Sequence, residues 1–198
     1  MATNKIPRIK EKLNIVDENN NIIGEDTRYN IHKKGLLHRE VNVWIYNLKG
    51  EVLFQKRALS KDTFPGLLDA SAGGHVELNK TYEETAIKEL KEETGILTNI
   101  SKLKPIKRIH NKSYDQSTGM INNTLKKVYA YEYNGNIKNL KLEKGKSLGF
   151  EFWPLEKIFN ISEKDKQKFI PFIISGRYIE IFRKIRELIK KEKIKRKE

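Results

Sequence analysis

The 198-residue chain contains no cysteine, which excludes disulfides, zinc-thiolate centres and a cysteine nucleophile together. Apolar material is also scarce, at 37% hydrophobic against 33% charged residues. No apolar run approaches the roughly 20 residues that a membrane-spanning helix needs. The N-terminal stretch MATNKIPRIKEKL is polar and lacks the apolar core of a secretory signal, so a cytoplasmic protein with no membrane partner is expected. There is no low-complexity linker, no internal repeat and no second domain boundary, and the length predicts one domain with a single substantial core. Acid is the scarcer charge: 40 Lys and Arg face 26 Asp and Glu, a formal net charge of +14. That excess favours anionic partners such as nucleotides, diphosphates or nucleic acid, although codon bias toward lysine, isoleucine and asparagine would produce it equally well.

What the chain does hold is a dense run of carboxylates between two glycine signals, GGHVELNKTYEETAIKELKEETGI from Gly73 to Ile96. Thr81 and Glu84 make a capping box and Gly95 is placed as a left-handed C-cap, so a helix of about four turns is predicted between them. Helical spacing puts Glu89, Glu92 and Glu93 on one face and leaves Ala86, Ile87 and Leu90 for the core. Like charges so placed cost roughly a few tenths of a kcal/mol per pair, and a hard divalent cation bound through oxygen reverses that sign. An acidic solvated face is the plainer alternative.

Gly74, Glu89, Leu90, Glu92, Glu93, Gly95 and Ile96 fall at the intervals of the Nudix box, G-x5-E-x7-R-E-U-x-E-E-x-G-U with U aliphatic. Over roughly Ile15 to Ile158 the chain resembles the Nudix hydrolase superfamily. The resemblance implies an α+β fold, an α/β/α sandwich with a mixed β-sheet, an N-terminal β-hairpin and C-terminal helices. All of it belongs to a single domain, residues 1–198, with its core at about 15–158 and a helical extension at about 162–198. It further implies magnesium, or manganese, held by Glu89, Glu92 and Glu93 with the backbone carbonyl of Gly73 as a further ligand. Glu89 and Glu92 also enter the implied catalytic set. Two box positions depart from the pattern. Lys80 stands where the family usually has glutamate, and Lys88 where an arginine usually orients the neighbouring catalytic glutamate. Lys88 keeps that charge and that catalytic place but loses the planar fork of donors.

Around the box, Asn14–Val16 and Ile22–Ile23 flank a turn and predict the N-terminal hairpin. Val41, Val43 and Ile45 alternate with Asn42, Trp44 and Tyr46 and predict a strand with two differing faces, turned at Lys49-Gly50 into a second strand at Val52–Phe54. Pro65-Gly66 predicts a loop inside Gln55–Gly74. The wording of that segment resembles the Nudix branch that shares its N-terminal region with isopentenyl diphosphate isomerases. The resemblance makes Arg57 and Lys61 candidate phosphate contacts, with solvated surface cations as the alternative. His75 is a candidate substrate or metal contact, or a histidine merely hydrogen-bonded in its loop.

Downstream, a strand is expected over Ile106–His110, a mobile loop over Asn111–Asn123, and a strand over Val128–Tyr133. Tyr129, Tyr131 and Tyr133 share one face of the latter, for packing or for stacking on a base. Phe150–Trp153 and Pro154–Ile158 then resemble the last strand and the following short helix of Nudix domains. The loop 145–149 lacks the extra glutamate that many family hydrolases carry there. Glu143 and Glu151 are the nearest carboxylates and neither is assigned as a base. Beyond Ser162 two helical segments are expected, the last over Tyr178–Lys193 with Ile181, Ile185, Leu188 and Ile189 as its apolar stripe. From Arg177 onward ten basic residues face four glutamates. This patch could hold RNA electrostatically, but without aromatic interleaving a solvated helix face is the expectation.

These residues suit a magnesium-dependent pyrophosphohydrolase cleaving a nucleoside diphosphate linked to another moiety. An isopentenyl diphosphate isomerase-like enzyme is the second reading, invited by the wording around His38, Arg57, Lys61 and His75. It is disfavoured because the cysteine those isomerases use two residues before the matching histidine is Gly73 here. Their later pair of glutamates is also missing near Asn123, Lys126 and Lys127. A non-catalytic nucleotide- or RNA-binding module is the third.

Overall fold

The computed structural model describes residues 11–61 and 63–197, so most of the polar N-terminal stretch singled out above lies outside the described residues. The chain opens with the hairpin β1 (Lys12–Val16) and β2 (Ile22–Thr27). Its turn is tied by the Asp17 carboxylate, which accepts from the Asn21 amide at 2.7 Å. Thr27 then caps a short helix, α1 (Arg28–Lys34), which ends at Gly35 with φ of 64°. The sequence pattern does not predict α1, because Ile31 is its only buried residue and no apolar period can show.

After α1 come β3 (His38–Tyr46), β4 (Glu51–Arg57), β5 (Leu68–Asp69), β6 (Ala72–His75) and the box helix α2 (Tyr82–Thr94). The remainder comprises β7 (Lys104–Asp115), β8 (Met120–Glu132), β9 (Ser147–Pro154), α3 (Leu155–Phe159), α4 (Glu163–Lys166) and α5 (Arg177–Lys195). β3 is the hub of the sheet. It runs antiparallel to β1, β4 and β6 and parallel to β8, which makes the sheet mixed. β9 joins on β4 and β7 on β8.

The alternation in β3 separates two cores, not core from solvent, since Val41, Val43, Trp44, Ile45 and Tyr46 are all fully buried. Val41, Val43 and Ile45 pack with Ala86 and Leu90 of α2, whereas Trp44 and Tyr46 pack with Phe182 and Ile185 of α5. The result is the expected α/β/α sandwich. Edge-on aromatic contacts fasten α5 to the sheet: the Phe182 and Trp44 ring centroids lie 5.0 Å apart at 84°, a favoured geometry for two quadrupoles. Ile181, Ile185 and Ile189 are buried in the same core, with Leu188 partly buried beside them. Among the described residues no helix is long and apolar enough to cross a membrane.

The mobile loop expected over Asn111–Asn123 is instead the far half of the β7–β8 hairpin, paired in register from Asn111↔Thr124 to Asp115↔Met120. Its tip projects beyond the sandwich, where Tyr114 is 63% exposed, while on the β8 side Asn123 Nδ2 donates to the Gly35 carbonyl at 3.0 Å and Ile121 lies against Gly35. Tyr129, Tyr131 and Tyr133 pack into the α2-side core, which is the packing alternative stated for them above.

Candidate active site

The site begins with the way α2 is held. Thr81 and Glu84 form the capping box, with the Glu84 carboxylate accepting from the Thr81 amide at 2.8 Å. Gly95 closes the helix at φ of 74°, a left-handed conformation that glycine adopts without penalty. Lys80 lies on the exposed start of the helix, 3.6 Å from Glu84. So oriented, α2 turns Glu89 and Glu93 inward to 6% exposure each, with Glu92 half-buried beside them.

Facing these carboxylates is the β6 glycine pair. A β-carbon on Gly74 would meet the Glu89 carboxylate at 2.6 Å, and one on Gly73 would meet the Val41 carbonyl at 2.7 Å. Glycine is therefore what lets backbone and acid approach at this point. The Gly73 amide donates to Glu93 Oε2 at 3.2 Å, and Gln55 Nε2 reaches the same oxygen at 3.4 Å. Glu89 Oε2 is buried without a hydrogen-bond partner. Burial pushes the Glu89 carboxyl up to about 8, with the charge of Glu93 adding to it. Burial likewise pushes Glu93 up to about 6, against the Lys146 ammonium and the Gly73 amide, which pull it down.

Two further groups close the site from the turn before β9. Gly145, at φ of 78°, lets residues 143–146 fold back so that Glu143 and Lys146 meet at 2.6 Å. Lys146 Nζ also lies 3.6 Å from Glu93 Oε1, and its carbonyl accepts from the Ala58 amide at 3.0 Å. Glu143, to which the sequence pattern assigns no role, is thus brought to the carboxylate cluster through Lys146. Glu151 is not, since it accepts from Trp153 Nε1 at 3.2 Å. A glutamate and lysine three apart across a glycine turn is the signal that could have found Glu143.

The other sequence-selected residues are placed as follows. Lys88 pairs with Glu77 and stands 3.9 Å from Glu92, and its charge also acts on the neighbouring Glu89. Arg57 donates to Asp69 at 2.8 Å and to the Thr63 carbonyl at 3.0 Å, so its guanidinium fixes the loop that carries Lys61. The Lys61 amide closes a turn on the Ala58 carbonyl at 3.2 Å.

His75 is drawn into a group that the sequence pattern does not reveal. Its ring stacks on His38 at 5.0 Å, and His32 of α1 lies 4.9 Å from both. One ring nitrogen from each falls within 4.8 Å of the others. Nε2 of His38 and of His75, Oδ1 of Asn122 and Oγ1 of Thr124 are buried without hydrogen-bond partners. Burial is the main reason that His38 is held down to about 4 and that His32 and His75 are lowered too. Each imidazole is therefore biased toward its neutral form, the form in which a ring nitrogen can bind a metal ion. His32 is hidden from the sequence pattern because α1 itself is.

Two donor sets could thus hold a divalent ion. Glu89, Glu92, Glu93 and the Gly73 carbonyl offer hard oxygen donors of the kind magnesium and manganese take. The orphaned Glu89 oxygen and the glycine cradle fit such an ion. The three-histidine set suits a borderline ion.

The family model of the NUDIX domain matches residues 36–172. An uncharacterized Nudix hydrolase of Nostoc is 35% identical over 127 residues, 64% of this chain and 75% of that protein. One from Yersinia pestis is 42% identical over 86 residues, 43% of this chain and 47% of that protein, so the chain spans about half of that relative. Human isopentenyl-diphosphate delta-isomerase 2 is 42% identical over 76 residues, 36% of this chain and 34% of that enzyme. Among solved structures, a Deinococcus radiodurans protein aligns with a TM-score of 0.63 at 24% identity, covering 88% of this chain and 98% of that one. The NUDIX domain of Shewanella oneidensis NrtR, complexed with ADP ribose, aligns with a TM-score of 0.53 at 18% identity, covering 77% and 87%. At these identities the structural likeness speaks for the fold.

Proposed function

The chain belongs to the Nudix hydrolase family, and on that premise we propose that it is a magnesium- or manganese-dependent pyrophosphohydrolase of a nucleoside diphosphate linked to another moiety. The observation that carries this reading is the pair Glu89 and Glu93, sunk to 6% exposure against the Gly73-Gly74 cradle. Two carboxylates so buried disfavour ionisation, and a cation bound through oxygen restores it.

In this reading Glu89, Glu92, Glu93 and the Gly73 carbonyl hold the ion. A bound divalent cation supplies neutralisation of the diphosphate oxygens and a lower pKa for the attacking water. Glu143 accepts the water proton as the new oxygen-phosphorus bond forms. The bridging phosphorus-oxygen bond breaks and its electron pair departs on the leaving phosphate. Lys61 meets the diphosphate, on a loop that Arg57 holds in place. Lys88 steadies Glu92, while His75 stays in the histidine group with His32 and His38. The substrate class takes support from the NrtR relative, whose NUDIX domain is complexed with ADP ribose.

The three-histidine cluster favours a second reading, an isomerase of isopentenyl diphosphate. Against it, Gly73 stands two residues before His75 and offers no thiol to protonate a carbon. One experiment separates the two. Incubation with magnesium and ADP-ribose, nucleotide sugars, dinucleotides, nucleoside triphosphates and capped RNA should release a monophosphate or phosphate from at least one of them. Glu93→Gln should abolish that release while leaving the circular dichroism spectrum unchanged. Conversion of isopentenyl diphosphate with no hydrolysis of any nucleotide would reverse the assignment.

A further inference from the structure

The carboxylate site contains a cation of its own. Lys146 Nζ lies 2.6 Å from Glu143 and 3.6 Å from Glu93, and its side chain is only 16% exposed. It is not a wandering surface lysine, because its carbonyl accepts from the amide of Ala58, just after β4, at 3.0 Å and its own amide donates to the Glu143 carbonyl at 3.1 Å. The other face of Glu93 is already occupied by the Gly73 amide and Gln55. Oε1, the oxygen that Lys146 takes, is accordingly the one left for a further cation.

From this we propose that Lys146 is a built-in counter-cation that competes with a divalent ion for Glu93 and transfers to the diphosphate when substrate arrives. The inference rests on the reading of Glu89 and Glu93 as metal ligands. Its physical basis is charge balance in a buried site. In their ionised forms Glu89, Glu93 and Glu143 together demand positive charge, and an ammonium fixed beside them meets part of the demand, so a bare divalent ion gains less on binding. A diphosphate brings new anionic oxygens, on which the ammonium gains a partner and yields Glu93 to the ion. Ion and diphosphate therefore bind together better than either binds alone, and the site discriminates against free metal. This makes Lys146 a residue that positions substrate and sets specificity, reached from a turn that carries no part of the box pattern.

The test uses the full chain, manganese as the ion and the α,β-methylene analogue of adenosine diphosphate, which cannot be hydrolysed at that bridge. Calorimetric titration compares wild type with Lys146→Met, Lys146→Arg and, as a control of equal charge, Lys144→Met on the exposed part of the same turn. Lys146→Met should bind manganese alone about tenfold more tightly and, at saturating manganese, should bind the analogue about tenfold more weakly. Lys146→Arg should lie near wild type, and so should Lys144→Met. Unchanged manganese affinity in a folded Lys146→Met protein overturns the competition. Tighter manganese with unchanged analogue binding overturns the transfer. If wild type binds manganese no better than Glu93→Gln does, the metal-site reading fails first and this inference falls with it.

Discussion

Gly74 lies directly against Glu89: a β-carbon added to the glycine would stand 2.6 Å from Glu89 Oε1 and 2.7 Å from its carboxyl carbon. The glycine thus sets where the carboxylate sits, and Gly74→Ala should displace it by close to an ångström. A misplacement of that size at a catalytic group costs about a hundredfold in rate, whereas stability should change little, because the atoms met are the far end of a flexible side chain. Steady-state kinetics and thermal melts on the same preparation check both. Wild-type activity in Gly74→Ala would mean that Glu89 is not held where the reaction needs it.

Lys88 supplies a second test, because it braces Glu77 and Glu92 with a single ammonium. Arginine offers a planar fork that can serve two carboxylates at once. Lys88→Arg should therefore raise kcat by about tenfold, equivalent to ~1.4 kcal/mol in the barrier, and Lys88→Met should lower it. A fall in kcat for the arginine variant would show that the site is built around the shorter, rotatable ammonium.

The buried carboxylates also make stability depend on pH and metal. Glu89 is shifted from 4.5 up to about 8 by burial and by Glu93. Between those two values the folded protein binds more protons than the unfolded one, so stability falls as pH rises. His38, held from 6.5 down to about 4 by burial, acts in the opposite direction but only below its unfolded value. The window from 6.5 to 8 therefore belongs to Glu89. In the presence of a chelator the melting temperature should drop by roughly 4 °C across it. Magnesium should remove the slope, and Glu89→Gln should flatten it without metal. A chelated wild-type protein whose melting temperature rises over this window would refute the burial of an ionisable Glu89.

How much of this is legible in the sequence depends on how local the signal is. The box helix is readable to its ends because Thr81, Glu84 and Gly95 act within one turn of the residues they cap. The hub strand is readable as a strand, but not as one buried on both faces, because Trp44 and Tyr46 find their cover only in α5, far along the chain. The β7–β8 hairpin departs from its expected form where its tip leaves the sandwich, since strand polarity there reflects missing neighbours. Glu143 reaches Glu93 through a lysine across a turn, and His32 reaches His75 through intervening strands and loops. The first leaves only the short spacing of Glu143 and Lys146 across Gly145, and the second leaves no period or spacing in the chain.

The C-terminal helix yields the last prediction, because its two halves do different work. Phe182 is fully buried, with its ring against Trp44 at 5.0 Å and Phe54 at 6.0 Å. Phe182→Ala should cost about 3–5 kcal/mol, as removal of a buried aromatic ring usually does. Beyond Ile189 the helix is mostly exposed, and Ile194 is 61% exposed. The outermost tie there is Arg196 to Glu132 at 2.5 Å, with the arginine side chain 55% exposed. An exposed pair of that kind contributes about 0–1 kcal/mol. Deleting residues 190–198 should therefore leave folding intact and change hydrolysis of a mononucleotide substrate by less than about twofold, under ~0.5 kcal/mol in the barrier. The same deletion removes six basic residues. If the helix does hold a long polyanion, its affinity for polyuridylate should fall and the salt dependence become shallower by close to one unit of slope for each phosphate no longer neutralised. A solvated face predicts no such change. A truncated protein with native circular dichroism but little hydrolytic activity would place the tail at the active site, contrary to the packing of α5 on the face of the sheet opposite α2.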